Sequence, residues 1–306
     1  MFPQPDCSSD IVDKNSEAMW TVDRLGPDAH QIEFEENFQE EGWEQWLLVT
    51  GDRHWDNRHS DWDLQKKHLE LAKERNAPVI DVGDFFCLMQ GKYDKRKSSD
   101  ALRDIHRGEE YFDDIPRTAV DFFKPYASQF AVIGHGNHET AIIKHHQTDV
   151  LARFAYRLNS ETGSNVQVGG YGGYVKIRFV LPGGVKRKSL WVRYHHGHGG
   201  GGRVTRGTLI SQRNAEIYGD ADIVVTGHIH ERWRMEIVRE KITDYGKVVL
   251  KPQIHLCTST YKQEYNIQGG WHYERGAPPK PLGGWWVRFT WDGSQERVVF
   301  QTMETL

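Results

Sequence analysis

Short apolar segments that end directly in glycine and a potential metal ligand constrain the fold of this chain most. Gln45–Thr50 is followed after one glycine by Asp52, and Pro78–Val82 is followed in the same way by Asp84. Asp222–Thr226 is a third run of this kind. Apolar runs of about four to eight residues that end at turn residues are typical of buried strands. The sequence therefore predicts strands whose carboxyl ends carry polar side chains.

The sequence between these runs has helical spacing. Trp62–Arg75 predicts a helix, as do Thr118–Tyr126 and the segment from Asp149 to Leu158, and Phe130–Gly134 predicts a further strand. A helix is also expected from about Ser99 in the charged segment 91–114. The second half is richer in strand, with predicted strands over Val166–Leu181, Ser189–His195, Trp233–Val238, Lys247–Cys257, Trp285–Trp291 and Arg297–Thr302. Alternating strands and helices indicate an α/β core.

Composition supports one globular unit. The chain has 306 residues with 38% apolar and 12% aromatic residues, and eleven tryptophans are spread along it, which excludes the composition of a disordered protein. We expect residues 1–44 to form a polar N-terminal extension and residues 45–306 to form a single domain with a strand-rich C-terminal half.

Charge and targeting signals point to a cytoplasmic protein without a membrane segment. The net charge is −4, so no basic field covers the whole protein, although a local patch for nucleic acid remains open. The N-terminus does not resemble a signal peptide, and no run approaches the roughly 20 apolar residues of a membrane helix. Three widely spaced cysteines fit reduced thiols better than a disulfide framework.

Five motifs with potential metal ligands each follow a predicted strand. They are Asp52–Arg53–His54, Gly83–Asp84, Gly136–Asn137–His138–Glu139, His195–His196–Gly197–His198 and Gly227–His228–Ile229–His230. Loops at the carboxyl ends of strands in an α/β sheet converge on one place. Carboxylate, amide and imidazole groups together suit ions such as Mn²⁺, Fe or Zn²⁺. The motifs therefore predict a shared metal site.

The order D-x-H, G-D, G-N-H-E, H-G and G-H-x-H, from Gln45 to His230, resembles the calcineurin-like metallophosphoesterase superfamily. The resemblance implies a four-layer α/β/β/α sandwich of two mixed sheets flanked by helices. It also implies two divalent metal ions, with Mn²⁺ expected first and Fe, Zn²⁺ or Ni²⁺ as alternatives.

The resemblance also implies a role for each motif residue. By motif, Asp52, His54 and His230 would bind the first metal ion, and Asp84 would bridge the two ions. The second ion would be completed by Asn137, His196 and His228, with His195 and His198 as alternatives to His196. His138 would be the catalytic histidine, contacting the leaving group or a phosphoryl oxygen.

One position departs from the family pattern. Many relatives carry an acidic residue or asparagine three positions after the bridging aspartate, where this chain has Cys87. A neutral thiol cannot hold a charged imidazole as a carboxylate does. We expect either another acid, Asp56 or Glu139, to take this role, or His138 to have a lower pKa and a smaller role.

Three other segments are candidates for substrate contact. Gly199–Gly202 with Arg203 and Arg206 could cradle a phosphate or form a plain surface turn. The basic residues of segment 92–103 could follow a nucleic-acid backbone or simply be solvated. Thr258–Tyr261 could cap the site with hydroxyl groups or form a turn.

The sequence therefore predicts a metal-dependent phosphoric ester hydrolase. The leading hypothesis is phosphodiester hydrolysis in nucleic acid or a nucleotide-like molecule by a metal-activated water, and the sequence Gly83–Phe86 leans toward nuclease relatives. A phosphomonoesterase is the enzymatic alternative. A non-catalytic metal-binding scaffold, like the retromer subunit of the superfamily, is the third hypothesis.

Overall fold

The computed structural model describes residues 20–90, 101–108, 110–200, 202, 204–263, 265, 274, 276 and 278–305. Its strands are β1 (Trp20–Gly26), β2 (Ala29–Glu35), β3 (Glu44–Thr50), β4 (Val79–Asp81), β5 (Phe130–Ile133), β6 (Gln167–Val168), β7 (Gly172–Val180), β8 (Arg187–His195), β9 (Ile223–Thr226), β10 (Trp233–Ile242), β11 (Val248–Cys257), β12 (Trp285–Asp292) and β13 (Arg297–Glu304). Its α-helices are α1 (Trp62–Glu74), α2 (Tyr111–Phe123), α3 (Asn137–His146), α4 (Val150–Thr162) and α5 (Leu209–Ile217). Short 3₁₀ helices cover Asp104–His106 and Lys124–Gln129.

The strands form two mixed sheets. The first sheet has the order β1-β2-β7-β8-β9-β11-β10, in which β9 lies parallel to both β8 and β11. The second sheet has the order β13-β12-β3-β4-β5-β6. Within it β3, β4, β5 and β6 are parallel, whereas β12 runs antiparallel to its neighbours. The carboxyl ends of β3, β4 and β5 therefore lie at one edge of the second sheet.

Two apolar cores fill the layers. The core between the sheets contains Val49 and Ile80 from the second sheet and Ile177 and Val225 from the first, all fully buried. The other core lies between the second sheet and the helices, where many of its largest members are aromatic, including Phe85, Phe123 and Phe154. The fold is thus an α/β arrangement of two mixed sheets flanked by helices, as the sequence predicted.

Local sequence explains where two of the helices begin. Asp61 and Asp149 each accept a hydrogen bond from a first-turn backbone amide, which caps α1 and α4.

Two helices were not predicted from the sequence. Helix α3 starts directly at Asn137, and α5 lies against β10, where Arg239 donates a hydrogen bond to its Ala215 carbonyl at 3.5 Å. The expected helix start near Ser99 lies outside the described residues.

Residues 20–35, which the sequence placed in a polar N-terminal extension, form two strands. Strands β1 and β2 belong to the first sheet, and β2 pairs in parallel with β7. The physical reason is the placing of apolar residues: in β1 the buried Trp20 and Val22 alternate with exposed residues, and Ile32 and Phe34 of β2 enter the core between the sheets. The polar composition of this segment concealed a period-two apolar face. Residues 1–19 lie outside the described residues.

No helix among the described residues has both the length and the apolar sequence needed to cross a membrane.

Truncation of Phe34 tests whether β2 is part of the core. Its ring is 1% exposed and stacks on Phe179 with 5.4 Å between centroids. Phe34→Ala should lower the free energy of unfolding by about 3–5 kcal/mol, the usual cost of removing a buried phenyl ring. Thr21→Ala, at an exposed position of β1, is the matched control and should change the free energy of unfolding by less than about 0.5 kcal/mol. Denaturant titration measures both, and equal small effects would contradict the assignment.

Candidate metal centre

The candidate ligands lie at the carboxyl ends of strands from both sheets. Asp52 and His54 follow β3, Asp84 follows β4, and Asn137 begins the helix after β5. On the first sheet, His196 follows β8 directly. His228 and His230 come after β9. The ends of β8 and β9 lie side by side because these strands are parallel neighbours, and His196 and His228 at these ends contact Asn137, which follows β5.

One group of donors contains Asp52, His54 and His230. The Nε2 atoms of the two histidines are 3.2 Å apart, and Asp52 Oδ1 lies 3.2 Å from His230 Nε2 and 3.9 Å from His54 Nε2. Two ring nitrogens and a carboxylate oxygen this close need a proton or a cation among them, because their lone pairs repel. All three residues are suited to holding one metal ion together.

A second group contains Asp84, Asn137, His196 and His228. Asn137 Oδ1 lies 2.7 Å from His228 Nδ1 and 3.1 Å from His196 Nε2. His196 Nε2 is also 3.1 Å from Asp84 Oδ2. Asp84, His196 and His228 form a set that could hold a metal ion, and the amide oxygen of Asn137 lies among their donor atoms.

The chemistry of the buried donors fits divalent cations. Asp52 Oδ1 is buried and accepts no hydrogen bond within the described part of the chain, although a bare carboxylate oxygen is costly to bury. Its other oxygen, Oδ2, accepts from the backbone amide of His228 at 2.8 Å. Carboxylate, imidazole and amide oxygen ligands together suit first-row transition ions. The donor set could therefore hold ions of this kind.

The pKa values show how strongly these groups interact. Burial raises the pKa of Asp84, but the neighbouring charges of His138 and His196 outweigh it and hold that pKa well below its usual range. Burial lowers the pKa of His196, yet the Asp84 carboxylate more than reverses this and raises it to about 10. A proton on His196 thus compensates Asp84 as a cation between them would. Burial, followed by repulsion from His138, lowers the pKa of His54 well below its usual range.

His138 stands beside both groups. Its ring is 4.9 Å from that of His54 between centroids, and its Nε2 is 3.6 Å from Asp84 Oδ2. Its backbone amide donates to Asp84 Oδ1 at 2.9 Å, so the position of His138 is tied to that of Asp84. A histidine placed here can reach an oxygen bound by the donor groups.

The backbone carbonyl of Cys87, rather than a carboxylate, accepts a hydrogen bond from His138 Nδ1. Both acids that the sequence offered for this role bind backbone amides. Asp56 accepts from the amides of Cys87 and Leu88 and from the hydroxyl of Tyr111. It therefore holds the loop whose carbonyl orients His138, and acts on the histidine through that loop.

Glu139 holds the loops of the second group together. Its buried carboxylate accepts from the amides of Gly136 at 2.8 Å, Phe86 at 2.9 Å and Asp84 at 3.2 Å. Burial, followed by the charge of Asp84, raises the pKa of Glu139 to about 8. This side chain joins the turn after β4 to the start of α3.

Arg53 is a structural residue that the sequence did not single out. It is fully buried between Asp52 and His54, and its Nε donates to Asp81 Oδ2 at 2.7 Å. Its guanidinium carbon also lies 5.0 Å from the ring centroid of Tyr261. The side chain therefore anchors the first motif to Asp81 of β4. The one sequence signal for Arg53 was its position as a large cationic residue between two predicted ligands.

The segment Thr258–Tyr261 also supports the first motif. Thr260 Oγ1 and the Tyr261 amide both donate to the carbonyl oxygen of Asp52, at 2.8 and 3.1 Å. The Tyr261 hydroxyl lies 2.9 Å from His68 Nδ1, deep in the protein. The sequence left open whether these hydroxyl groups cap the site or whether the segment forms a plain turn. In the structure the hydroxyl groups are buried and support the loop of the first motif.

The candidate substrate residues are only partly described. Arg203 lies outside the described residues. Arg206 is exposed in a segment that packs beside the last motif, since Trp233 donates to the Arg206 carbonyl at 3.0 Å and a Cβ at Gly207 would come within 2.4 Å of Ile229. Most of segment 92–103 also lies outside, but Arg103 is described and stacks 3.7 Å above Trp62. Its guanidinium is therefore engaged within the protein.

Comparison with known proteins gives only distant likenesses. No protein-family model matches the chain, and no curated protein matches it. GAP50, the anchor in the inner membrane complex of Plasmodium, is 10% identical with a TM-score of 0.42, and the match covers 85% of this chain and 84% of GAP50. A chain described as a 5′-nucleotidase from Staphylococcus aureus, in complex with α-ketoglutarate, is 15% identical with a TM-score of 0.42, over 86% of this chain and 54% of that one. Vps29 of Chaetomium thermophilum is 9% identical with a TM-score of 0.33, over 85% and 95%. Because these TM-scores lie below 0.5, we draw no argument about activity from them.

Replacement of Glu139 tests its role as the link between the two loops. Glu139→Ala leaves three buried amides without their acceptor, each at a cost of about 1–3 kcal/mol, so the free energy of unfolding should fall by roughly 3 kcal/mol or more. Glu139→Gln keeps one acceptor oxygen and should lose less. Chemical denaturation of both variants measures the difference. Wild-type stability in Glu139→Ala would contradict the assignment.

Proposed function

We propose that this protein is a phosphoester hydrolase that uses two divalent metal ions. The observation that supports the proposal best is the convergence of two adjacent donor groups from five separate loops. Asp52, His54 and His230 form the group that would hold the first ion, while Asn137, His196 and His228 would hold the second. Asp84 would serve both ions, because its Oδ2 lies 3.1 Å from His196 Nε2 and its backbone carbonyl accepts a hydrogen bond from the His54 amide at 3.0 Å.

The metal ions would supply hydroxide at neutral pH and neutralise charge on a phosphoryl oxygen. The residues of the chain hold and orient the reactants. Asp52 and Asp84 carry the negative charge that two cations require, and the backbone amide of His138 fixes one oxygen of Asp84. Mn²⁺ is the ion that we propose for this mixed set of oxygen and nitrogen donors, with Fe, Zn²⁺ and Ni²⁺ as the alternatives.

His138 is the residue that we propose as general acid. Because its Nδ1 donates to the Cys87 carbonyl, Nε2 is the nitrogen that can carry a second proton to a departing oxygen. The partner is a neutral carbonyl, so it orients the ring without the charge stabilisation that a carboxylate would add. Position 87 lacks the acidic side chain or asparagine of many relatives, and we propose that the backbone carbonyl of Cys87 takes its place in orienting His138.

We propose phosphodiesters as the substrate class. A diester carries one negative charge, whereas a phosphomonoester carries a charge of about −1.5 to −2 at neutral pH. A monoester therefore needs more cationic side chains to bind it. Near the donor groups, the described residues Arg53 and Arg103 are bound to internal partners. Phe85 and Phe86, which the sequence associated with nuclease relatives, lie buried in the core on the helix side and do not favour a nuclease.

A panel of substrates tests the activity and its class. The protein loaded with Mn²⁺ should hydrolyse a bis-aryl phosphate faster than an aryl monophosphate, and cyclic nucleotides, DNA and RNA extend the comparison. Faster monoester hydrolysis would overturn the substrate class. Stoichiometric metal without turnover on any phosphoester would indicate a scaffold.

Loss of Asp84 should disrupt both metal sites. Asp84→Ala is expected to reduce bound metal and to lower the hydrolysis rate on the order of 10²-fold or more, because second-shell changes alone cost 10–100-fold. Metal content by elemental analysis and rate are measured on the same sample. Full metal content in Asp84→Ala would contradict its place in the donor groups.

The role of His138 separates chemistry from metal binding. His138→Ala should lower turnover by about 10²–10⁴-fold, the usual contribution of general acid catalysis, with bound metal unchanged. His145→Ala is the matched control, because His145 is exposed on the same helix α3. The assignment fails if His138→Ala keeps the wild-type rate.

A further inference from the structure

A third group of potential ligands lies beside the two donor groups. Cys87, His54 and His138 each place a donor atom within 4.8 Å of the other two. Cys87 and His54 are 3% and 2% exposed, and His138 is 8% exposed, so the group is almost enclosed. The proposed function uses the two histidines separately and does not use the Cys87 sulfur.

Each member presents an atom that can bind a cation. His138 donates from Nδ1 to the Cys87 carbonyl, which leaves Nε2 as the nitrogen with a lone pair. The sulfur of Cys87 meets the Asn57 side-chain amide at 3.4 Å, a weak contact. His54 turns Nε2 toward His230, and its buried Nδ1 has no hydrogen-bond partner within the described residues. A buried imidazole nitrogen without a partner is a second sign of a ligand.

The chemistry of this group differs from that of its neighbours. Asp52, Asp84 and Asn137 supply hard oxygen donors to the two groups described above, whereas the third group has one sulfur and two imidazoles and no carboxylate. Thiolate ligands select soft ions such as Zn²⁺ over hard ions such as Mn²⁺. A thiophilic ion should therefore compete with Mn²⁺ for His54, the residue that the third group shares with the first.

We propose that Cys87, His54 and His138 form an inhibitory site for a thiophilic divalent cation of the Zn²⁺ and Cd²⁺ class. Cation binding replaces the thiol proton of Cys87, which leaves to solvent, and the lone pairs of His138 and His54 become metal bonds, so that His54 is no longer a ligand of the first metal ion. His138 can then no longer give a proton to a leaving oxygen. The inhibitory effect rests on the proposed function, but binding of the cation does not.

Cadmium binding can be read from the sulfur itself. The chain has three cysteines, so Cys7→Ala with Cys257→Ala leaves Cys87 as the sole thiol. This protein is loaded with Mn²⁺ and titrated with Cd²⁺ while the ultraviolet thiolate-to-metal charge-transfer absorption is recorded. The matched control carries Cys87→Ser in addition. Cys257 is buried, so its replacement puts folding at risk. If the double variant does not fold, the wild-type chain with and without Cys87→Ser provides the same comparison.

We expect the absorption to saturate at one Cd²⁺ per chain and to be missing in Cys87→Ser. Phosphoester hydrolysis should fall over the same Cd²⁺ range, and Cys87→Ser should raise the half-inhibitory concentration on the order of tenfold or more, each rate being normalised to its own cadmium-free value. No absorption from Cys87, or equal inhibition in both proteins, overturns the inference while the hydrolase stands. Absorption that depends on Cys87 in a protein without hydrolase activity supports the cation site and overturns the proposed function.

Discussion

Left-handed backbone at the strand ends is the constraint on which the candidate metal centre depends. Asp52, His54, Asp84, His228 and His230 all have positive φ, between 44° and 72°. This conformation costs a side chain other than glycine about 1–3 kcal/mol, although aspartate, asparagine and histidine adopt it more readily than most residues. It turns the chain sharply after each strand, so that ligands two residues apart face the same point. The structure must hold all five residues in this conformation at once, in the three loops that follow β3, β4 and β9.

Hydrogen bonds between loops hold these turns in place. The Asp52 amide donates to the Gly83 carbonyl at 2.8 Å, and the His54 amide donates to the Asp84 carbonyl at 3.0 Å, so the loops after β3 and β4 are joined directly. Asp52 Oδ2 binds the His228 amide of the first sheet. Asp52 is therefore a donor to the site and a link between the sheets, so its loss should disturb more than one ligand.

The environment of His138 connects the proposed reaction with its proposed inhibition. The loop that contains Cys87 orients the histidine through a carbonyl group and places a sulfur atom beside it. Asp56 holds that loop by its backbone amides. A carboxylate at position 87 would serve the first purpose in the usual way but would remove the soft ligand. The same substitution thus changes how the imidazole is held and which cations can reach it.

The sequence alone determined the α/β class, most strands and the residues that meet at the centre, because apolar runs of strand length and polar residues at their ends are local signals. It did not reveal β1, β2, α3 and α5, whose patterns are short or masked by charged neighbours. Nor could it show that Glu139 binds three amides, that Arg53 is buried against Asp81, or that a carbonyl orients His138. These features are contacts between segments distant in sequence. Only the packing of the two sheets decides which atoms meet.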